Sequence, residues 1–260
     1  MISANIITLN EESNIGECID SVLQVCDEVV VVDSGSIDKT VEIAKSKGAK
    51  VVFQNYLGDG FQKNIANEYV KNKWILSIDA DERLMPEAVK RINEIDFENA
   101  SFNAYAFRRR NMIGSRWIRQ CGWYPDFCVR LYNKDICQFK KVEQHSSIET
   151  DNVKFIDADL VHYSFSNIGE LFAKPGRNFS GRAAKILYKK GKKVNAFSPF
   201  IHGSSAFLKK YFFQRGFLEG VDGMTVSMSA AINSYLKYAK LLEYRRDPFV
   251  REKENFNKIW

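Results

Sequence analysis

Four short apolar runs fall within the first eighty residues, and each stops at polar or acidic residues. Ile2 to Leu9, Glu28 to Val32, Val51 to Phe53 and Trp74 to Ile78 are rich in branched side chains and too short for typical helices. Helix-patterned stretches separate them. Asn10-Glu11-Glu12-Ser13-Asn14 opens one that carries Ile15, Ile19, Val22 and Leu23 on a single face, and a second carries Val41, Ile43 and Ala44 and closes near Gly48. In the second, Ser36 or Asp38 can cap the start. A third follows Gly58-Asp59-Gly60-Phe61-Gln62-Lys63-Asn64 and runs to about Val70. Strands alternating with helices at this spacing predict an α/β fold: a Rossmann-like, mostly parallel sheet flanked by helices, wound by right-handed crossovers.

In such a sheet the loops after successive strands lie on one edge, where ligands bind. Leu9-Asn10-Glu11, Asp33 to Asp38 and Asp79 to Asp81 are therefore expected to converge. Singly, each has a plain alternative: Asp33 as a turn residue, Lys63 as a solvated helix residue, Asp79-Ala80-Asp81 as a solvated turn. Together they make a site that calls for a cation. Two hard oxygen ligands beside a nucleotide diphosphate suit Mg²⁺ or Mn²⁺. Neither a Gly-X-Gly-X-X-Gly fingerprint nor a Gly-X-X-X-X-Gly-Lys-Ser/Thr phosphate loop occurs.

These motifs resemble those of family 2 glycosyltransferases. The resemblance lies in Ile7-Thr8-Leu9-Asn10-Glu11-Glu12, in Val31-Val32-Asp33-Ser34-Gly35-Ser36-Ile37-Asp38-Lys39-Thr40 and in Ile78-Asp79-Ala80-Asp81-Glu82. That family comprises inverting enzymes of the GT-A fold that use nucleotide sugars. Gly60-Phe61-Gln62-Lys63-Asn64 resembles a further motif of the lipopolysaccharide core β-glucosyltransferases, which transfer glucose to heptose. The resemblance implies that Thr8, Asn10 and Glu11 belong to the donor site. It implies that Asp33 meets the uracil, that Asp79 and Asp81 meet the ribose and the metal–diphosphate, and that Lys63 lies near phosphate.

Farther on, Asn103 to Arg109 alternates like a strand and ends in Arg108-Arg109-Arg110, which an exposed edge strand would also explain. Gly122-Trp123-Tyr124-Pro125-Asp126 follows, running into Phe127-Cys128-Val129-Arg130-Leu131-Tyr132. Aromatic faces beside a lone carboxylate suit a sugar site, because the ring stacks and the carboxylate takes a hydroxyl proton. A similar block occurs in the resembling subset. Asp126 is the candidate base, Trp123 a candidate substrate contact and Arg130 a candidate diphosphate contact; the plain alternative for Asp126 is a turn cap after Pro125.

The histidines are His145, His162 and His202. Relatives often carry Val-His-Glu near the first, but here the run is Val142-Glu143-Gln144-His145-Ser146-Ser147, so Glu143 or Glu149 would have to substitute. A late histidine often completes metal coordination in GT-A enzymes. His145 and His162 are both metal candidates by that resemblance, with a hydrogen-bonded structural role open for each.

Charge divides the chain. Residues 1–100 hold 10 Lys/Arg against 18 Asp/Glu, net −8; residues 101–260 hold 28 against 14, net +14. The two halves are expected to face different partners. Between Glu170 and Glu219 no acidic residue occurs, and residues 171–218 carry 11 Lys/Arg and 10 Phe/Tyr. Helical spacing runs from about Asn167 to Lys190 and again from Phe207 to Tyr244. Basic and aromatic residues so interleaved suit an anionic membrane surface, a nucleic acid, or a helical bundle that keeps its lysines in water.

The resemblance extends through His162-Tyr163-Ser164, Lys174 to Arg177, Arg215-Gly216-Phe217-Leu218-Glu219-Gly220 and Leu236-Lys237-Tyr238 to about Glu243. It favours the membrane over nucleic acid. It implies a UDP-hexose donor, UDP-glucose by resemblance alone, and a lipid-anchored, phosphorylated inner-core acceptor. Capsule or another surface glycan on a polyprenyl carrier is the rival enzyme reading. A degenerate nucleotide fold that binds nucleic acid is the rival outside enzymology.

The expected domains are a catalytic domain over 1–165, a helical basic and aromatic region over 166–245 and a polar tail over 246–260. Five cysteines without a Cys-X-X-Cys pair point to reduced thiols in the cytosol. No basic n-region precedes an apolar stretch at the start, and no segment approaches the roughly 18 apolar residues of a membrane span. The expected location is the cytoplasm, peripheral on the inner face of the inner membrane.

Overall fold

The first strand that the sequence marks out becomes the centre of a parallel sheet. In the computed structural model, which describes residues 1–141, 146–174, 180–247 and 249–250, β1 (Ile2–Thr8) pairs in parallel with β2 (Glu28–Asp33) on one side and β4 (Trp74–Asp79) on the other. β3 (Lys50–Phe53) adds in parallel to β2. The registers set Thr8 opposite Asp33 and Ile7 opposite Asp79, so the three strands end level. Helices α1 (Ile15–Val22), α2 (Thr40–Ser46) and α3 (Asp59–Asn67) supply the crossovers. Their apolar faces and the alternate strand residues close one core, in which Ile6, Val31, Ile78, Ile15 and Ile19 are wholly buried. Burying a side chain of this size is worth about 1.5–3 kcal/mol.

Further strands extend the parallel half. Across β4 lies β8 (Asp126–Asn133), then β6 (Ala104–Ile113), β9 (Val153–Phe165) and β5 (Glu82–Leu84), giving the order β3-β2-β1-β4-β8-β6-β9-β5. β8 is antiparallel to β4, β6 antiparallel to β8 and β5 antiparallel to β9. β6 is thus an interior strand, and the edge-strand explanation for its three arginines falls. Helix α4 (Pro86–Asn93) follows β5 and opens on a proline, whose fixed φ suits a first helical turn.

The chain divides into two compact units: Met1–Arg110 with Pro125–Tyr163, and Asn111–Tyr124 with Ser164–Trp260. In the second, the short β7 (Arg116–Trp117) pairs with Met112 and Ile113. Segment 111–124 is fastened there by its backbone. Glu219 accepts from the Arg119 and Gln120 amides at 2.9 and 3.1 Å, and the Lys210 ammonium donates to the Cys121 carbonyl at 2.6 Å. Helices α5 (Ile168–Lys174), α6 (Ser180–Lys189), α7 (Ser198–Leu208) and α8 (Gly220–Arg246) make up the rest.

The helical pattern expected from Phe207 to Tyr244 is interrupted: a π-turn over Lys209–Phe213 and a 3₁₀ turn over Gly216–Glu219 precede α8. Arg215 sits in the left-handed region at φ 56°, and a Cβ on Gly223 would lie 1.8 Å from the Gly216 carbonyl oxygen. That close approach demands glycine.

Candidate active site

Two loops at the level strand ends are stitched together. Asn10 adopts φ 55°, a left-handed conformation that asparagine tolerates better than most residues. Its amide donates to Ser36 Oγ at 2.8 Å, and its Oδ1 accepts from the Ile37 amide at 2.9 Å. The Glu11 amide donates to Thr40 Oγ1 and the Glu12 amide to Asp38 Oδ2. The Glu11 carboxylate accepts from Asn14 Nδ2 at 2.7 Å. Asp33 closes its own loop: Oδ1 accepts from the Gly35 and Ser36 amides, both at 2.9 Å, and the Ser36 hydroxyl donates to Oδ2. Ser36 is therefore bound to Asp33 and Asn10. Asp38 Oδ1 accepts from the Thr40 amide at 3.0 Å. Beside Asp33, the Thr8 hydroxyl is buried without a hydrogen-bond partner among the described residues. An unmet buried hydroxyl costs about 1–3 kcal/mol, and a bound polar group would relieve it.

Next to these loops runs a chain of alternating charges. Lys63, 5% exposed on α3, reaches Asp79 Oδ1 at 2.8 Å. Gly60 lets α3 approach closely, since a Cβ there would meet the Lys140 carbonyl oxygen at 1.9 Å. The opposite oxygen of Asp79 is 2.6 Å from Arg130 Nη2, which is also 2.5 Å from Glu82 Oε1. Glu82 Oε1 lies 3.3 Å from Arg109 Nη1, and Arg109 holds Asp126 Oδ2 through Nη2 at 2.7 Å and Nε at 3.0 Å. Desolvation works against the charge on Asp79, but the Arg130 guanidinium and Lys63 ammonium outweigh it and hold the carboxyl well below the usual range. Desolvation also opposes the charge on Arg130, yet Asp79 and Glu82 raise its pKa well above the ordinary value.

Strand geometry explains how consecutive arginines divide. Successive side chains of β6 point to opposite faces. Arg108 and Arg110 go to Asp159, at 2.7 and 2.6 Å, and Arg108 also meets Asp157. Arg109 turns the other way, and the β6–β8 register sets it opposite Asp126. Glu82, wholly buried, and Arg109 are the site residues that the sequence motifs left without a role. The signal for Glu82 was its place directly after Asp81.

Asp81 and His162 form a separate pair. β5 runs antiparallel to β9 with Glu82 opposite His162, and the Tyr163 amide donates to the Asp81 carbonyl at 2.9 Å. His162 Nε2 stands 3.3 Å from Asp81 Oδ2. Desolvation would lower the imidazole pKa, but the hydrogen bond and charge of Asp81 prevail and raise it. Adjacent ligands of an octahedral Mg²⁺ lie roughly 3 Å apart, given metal–oxygen bonds of about 2.1 Å. The spacing of this pair is that of adjacent ligands on a small divalent cation, which would take its remaining ligands from water and phosphate. Among the described residues, no group of three or more His, Cys, Asp or Glu side chains forms a complete metal cage.

The first unit thus holds Thr8, Asn10, Glu11 and Asp33 in one loop pair, Lys63, Asp79, Arg130 and Asp126 in one ion-pair chain, and Asp81 with His162. Trp123 belongs to the second unit, where its ring stacks on Phe165 with centroids 5.9 Å apart. His145 and Glu143 lie outside the described residues; Glu149 is exposed.

The family model of "Glycosyl transferase family 2" matches residues 3–145, which carry most of these groups. A Rickettsia bellii protein described as an uncharacterized glycosyltransferase is 37% identical over 254 residues, covering 93% of this chain and 86% of that one. The lipopolysaccharide core biosynthesis glycosyltransferase LpsC of Rhizobium meliloti is 27% identical over 262 residues, covering 93% and 92%. Among solved structures, S. aureus TarS 1-349 aligns over 94% of this chain and 91% of that one, with a TM-score of 0.49 and 14% identity. By the match of its catalytic half and the likeness over nearly its full length, the chain belongs to glycosyltransferase family 2.

Proposed function

We propose that this glycosyltransferase is an inverting hexosyltransferase that moves glucose from UDP-glucose to a heptose of a lipopolysaccharide or lipooligosaccharide inner core. The observation that carries the reading is the chain of ion pairs. It sets two cations, Lys63 and Arg130, beside Asp79 and ends on a carboxylate, Asp126, held by Arg109. Thr8, Asn10 and Asp33 would take the nucleoside end, where an unmet hydroxyl and a fixed carboxylate await polar partners. Lys63 and Arg130 would receive the diphosphate. Asp126 would take the proton from the acceptor hydroxyl, which attacks the anomeric carbon from the face opposite the leaving UDP, so the configuration inverts. Asp81 and His162 would hold Mg²⁺ or Mn²⁺, which supplies positive charge to the departing diphosphate.

The acceptor assignment draws on the likeness to LpsC, whose name places it in lipopolysaccharide core biosynthesis. A place on an anionic membrane face draws on the second unit. Phe197, Phe200, Ile201, Phe213, Leu218 and Val221 are all more than half exposed, alongside the exposed Lys189, Lys190, Lys192, Lys193 and Lys209. Among the described residues, no helix is long and apolar enough to cross a membrane.

The test is UDP release from UDP-glucose with a heptose-containing core oligosaccharide, with Mg²⁺ or Mn²⁺ and after chelation. Release should need both metal and acceptor. Asp126→Asn should cut kcat by about a thousandfold while leaving UDP binding intact. Asp81→Ala should remove the metal dependence of UDP binding together with turnover. Near-normal turnover in Asp126→Asn would move the base elsewhere, and release indifferent to heptose would remove the acceptor assignment.

A further inference from the structure

We infer that Glu82 is a positioning residue that links the donor side of the site to its base, so that a nucleoside diphosphate arriving at Arg130 is sensed at Asp126. The inference rests on the reading above, in which Arg130 meets the diphosphate and Asp126 is the base.

Glu82 is 0% exposed, and its carboxylate is held by Asp79, Arg130 and Arg109. Its Oε2 accepts from the Asp79 amide at 3.2 Å, which anchors it to the end of β4. Its Oε1 is shared by two guanidinium groups, at 2.5 Å from Arg130 and 3.3 Å from Arg109. Arg130 is in turn divided: one nitrogen, Nη2, serves both Glu82 and Asp79, while Nε is buried without a hydrogen-bond partner among the described residues. Arginine binds carboxylates best through two parallel bonds from its fork. One nitrogen on two carboxylates, with a donor left idle, is an arrangement that a competing anion can redistribute.

The direction of redistribution follows from the contacts. A diphosphate oxygen that draws on Arg130 weakens its bond to Glu82 Oε1. Glu82 is too buried to turn to water, so its charge falls on Arg109, the other cation at that oxygen. Arg109 then shifts from Asp126 toward Glu82, and its two bonds to Asp126 Oδ2 loosen. The hold of Arg109 on the carboxylate that must accept the acceptor's proton thus slackens when the donor is in place. Low local dielectric strengthens each of these pairings and so the coupling between them. If Glu82 served only to neutralise two arginines, UDP would leave Arg109 unmoved.

The experiment follows the Arg109 Nε–H resonance in ¹⁵N-arginine-labelled protein during titration with UDP and Mg²⁺, assigned by its disappearance in Arg109→Lys. In the wild type the resonance should shift on binding. In Glu82→Gln the shift should vanish although UDP still binds. Steady-state kinetics should show kcat falling about tenfold or more at nearly constant donor KM. An Arg109 resonance that ignores UDP in the wild type, or shifts equally in Glu82→Gln, overturns the inference. Should Glu82→Gln fail to fold, the wild-type titration still decides, and Glu82→Asp, one methylene shorter, should weaken the response. Failure of the underlying reading looks different: the wild type would not bind UDP, or Asp126→Asn would still turn over while the Arg109 shift persisted.

Discussion

The two units use the same cationic side chains in opposite ways. In the first, Lys63, Arg109 and Arg130 are each answered by a named carboxylate, and Asp159 satisfies Arg108 and Arg110. In the second, the lysines at 189, 190, 192, 193 and 209 are exposed among aromatic side chains, in a stretch without one acidic residue. Matched charges hold one another in place before a ligand arrives, so a site is set out in advance of the reaction. Exposed cations in a stretch that also exposes apolar groups are what the proposed contact with an anionic membrane face rests on.

Deleting one member of the matched set should do the most damage. Arg130→Met leaves Asp79 and the buried Glu82 without their shared cation, and breaking a buried pair this way costs about 3–5 kcal/mol. Urea unfolding should show a lower midpoint with an unchanged slope; a midpoint like that of the wild type would mean that Arg130 is not needed to balance the cluster.

In the unmatched set the expected loss is of binding, not of stability. Phe212→Ser with Phe213→Ser removes rings that are 54% and 83% exposed. Each would lose on the order of 1.5–3 kcal/mol of transfer energy if it enters the bilayer fully, about tenfold or more in partitioning. Retention on phosphatidylglycerol vesicles should fall while thermal unfolding stays put. Equal retention would separate the aromatic patch from any membrane role.

The smallest effect concerns acid stability. Burial works against the charge on Asp159, and the hydrogen bonds from Arg108 and Arg110 outweigh it, so the folded carboxyl titrates below its unfolded counterpart. The stability it contributes is complete above the unfolded value of about 3.9 and is lost as pH falls through the lower folded value. Asp159→Asn should flatten the fall in stability below about pH 4, measured by denaturant midpoints across that range. An unchanged acid limb would assign the loss to other carboxylates.

The parallel strands and their level ends were legible because they rest on local signals: branched residues in short runs, helix periods between them and polar or acidic residues at each stop. The register then sets Thr8 beside Asp33 and Ile7 beside Asp79. What stayed hidden depended on partners far away in sequence. The fate of Arg109 is set by odd and even positions along β6 and by the strand lying opposite, which no single run announces. Glu82 reads as one more acid in a turn until its burial is known. Trp123 reads as part of the Asp126 block, yet it packs with the second unit, because its neighbours at Arg119 and Gln120 are fastened to Glu219. The break before α8 comes with a close backbone contact at Gly223 that helix periodicity does not report.

Strand β5 is three residues long, lies at the end of the strand order and pairs with β9 alone, by three rungs from Glu82–His162 to Leu84–Leu160. Along a strand, one step of slippage sends each side chain to the other face. An extra residue slipped into β9 ahead of His162 would swing the imidazole away from Asp81 while every charged group stayed in the chain. The chemistry here depends on counting as much as on composition, so single-residue indels in β9 should prove more damaging than most substitutions in it.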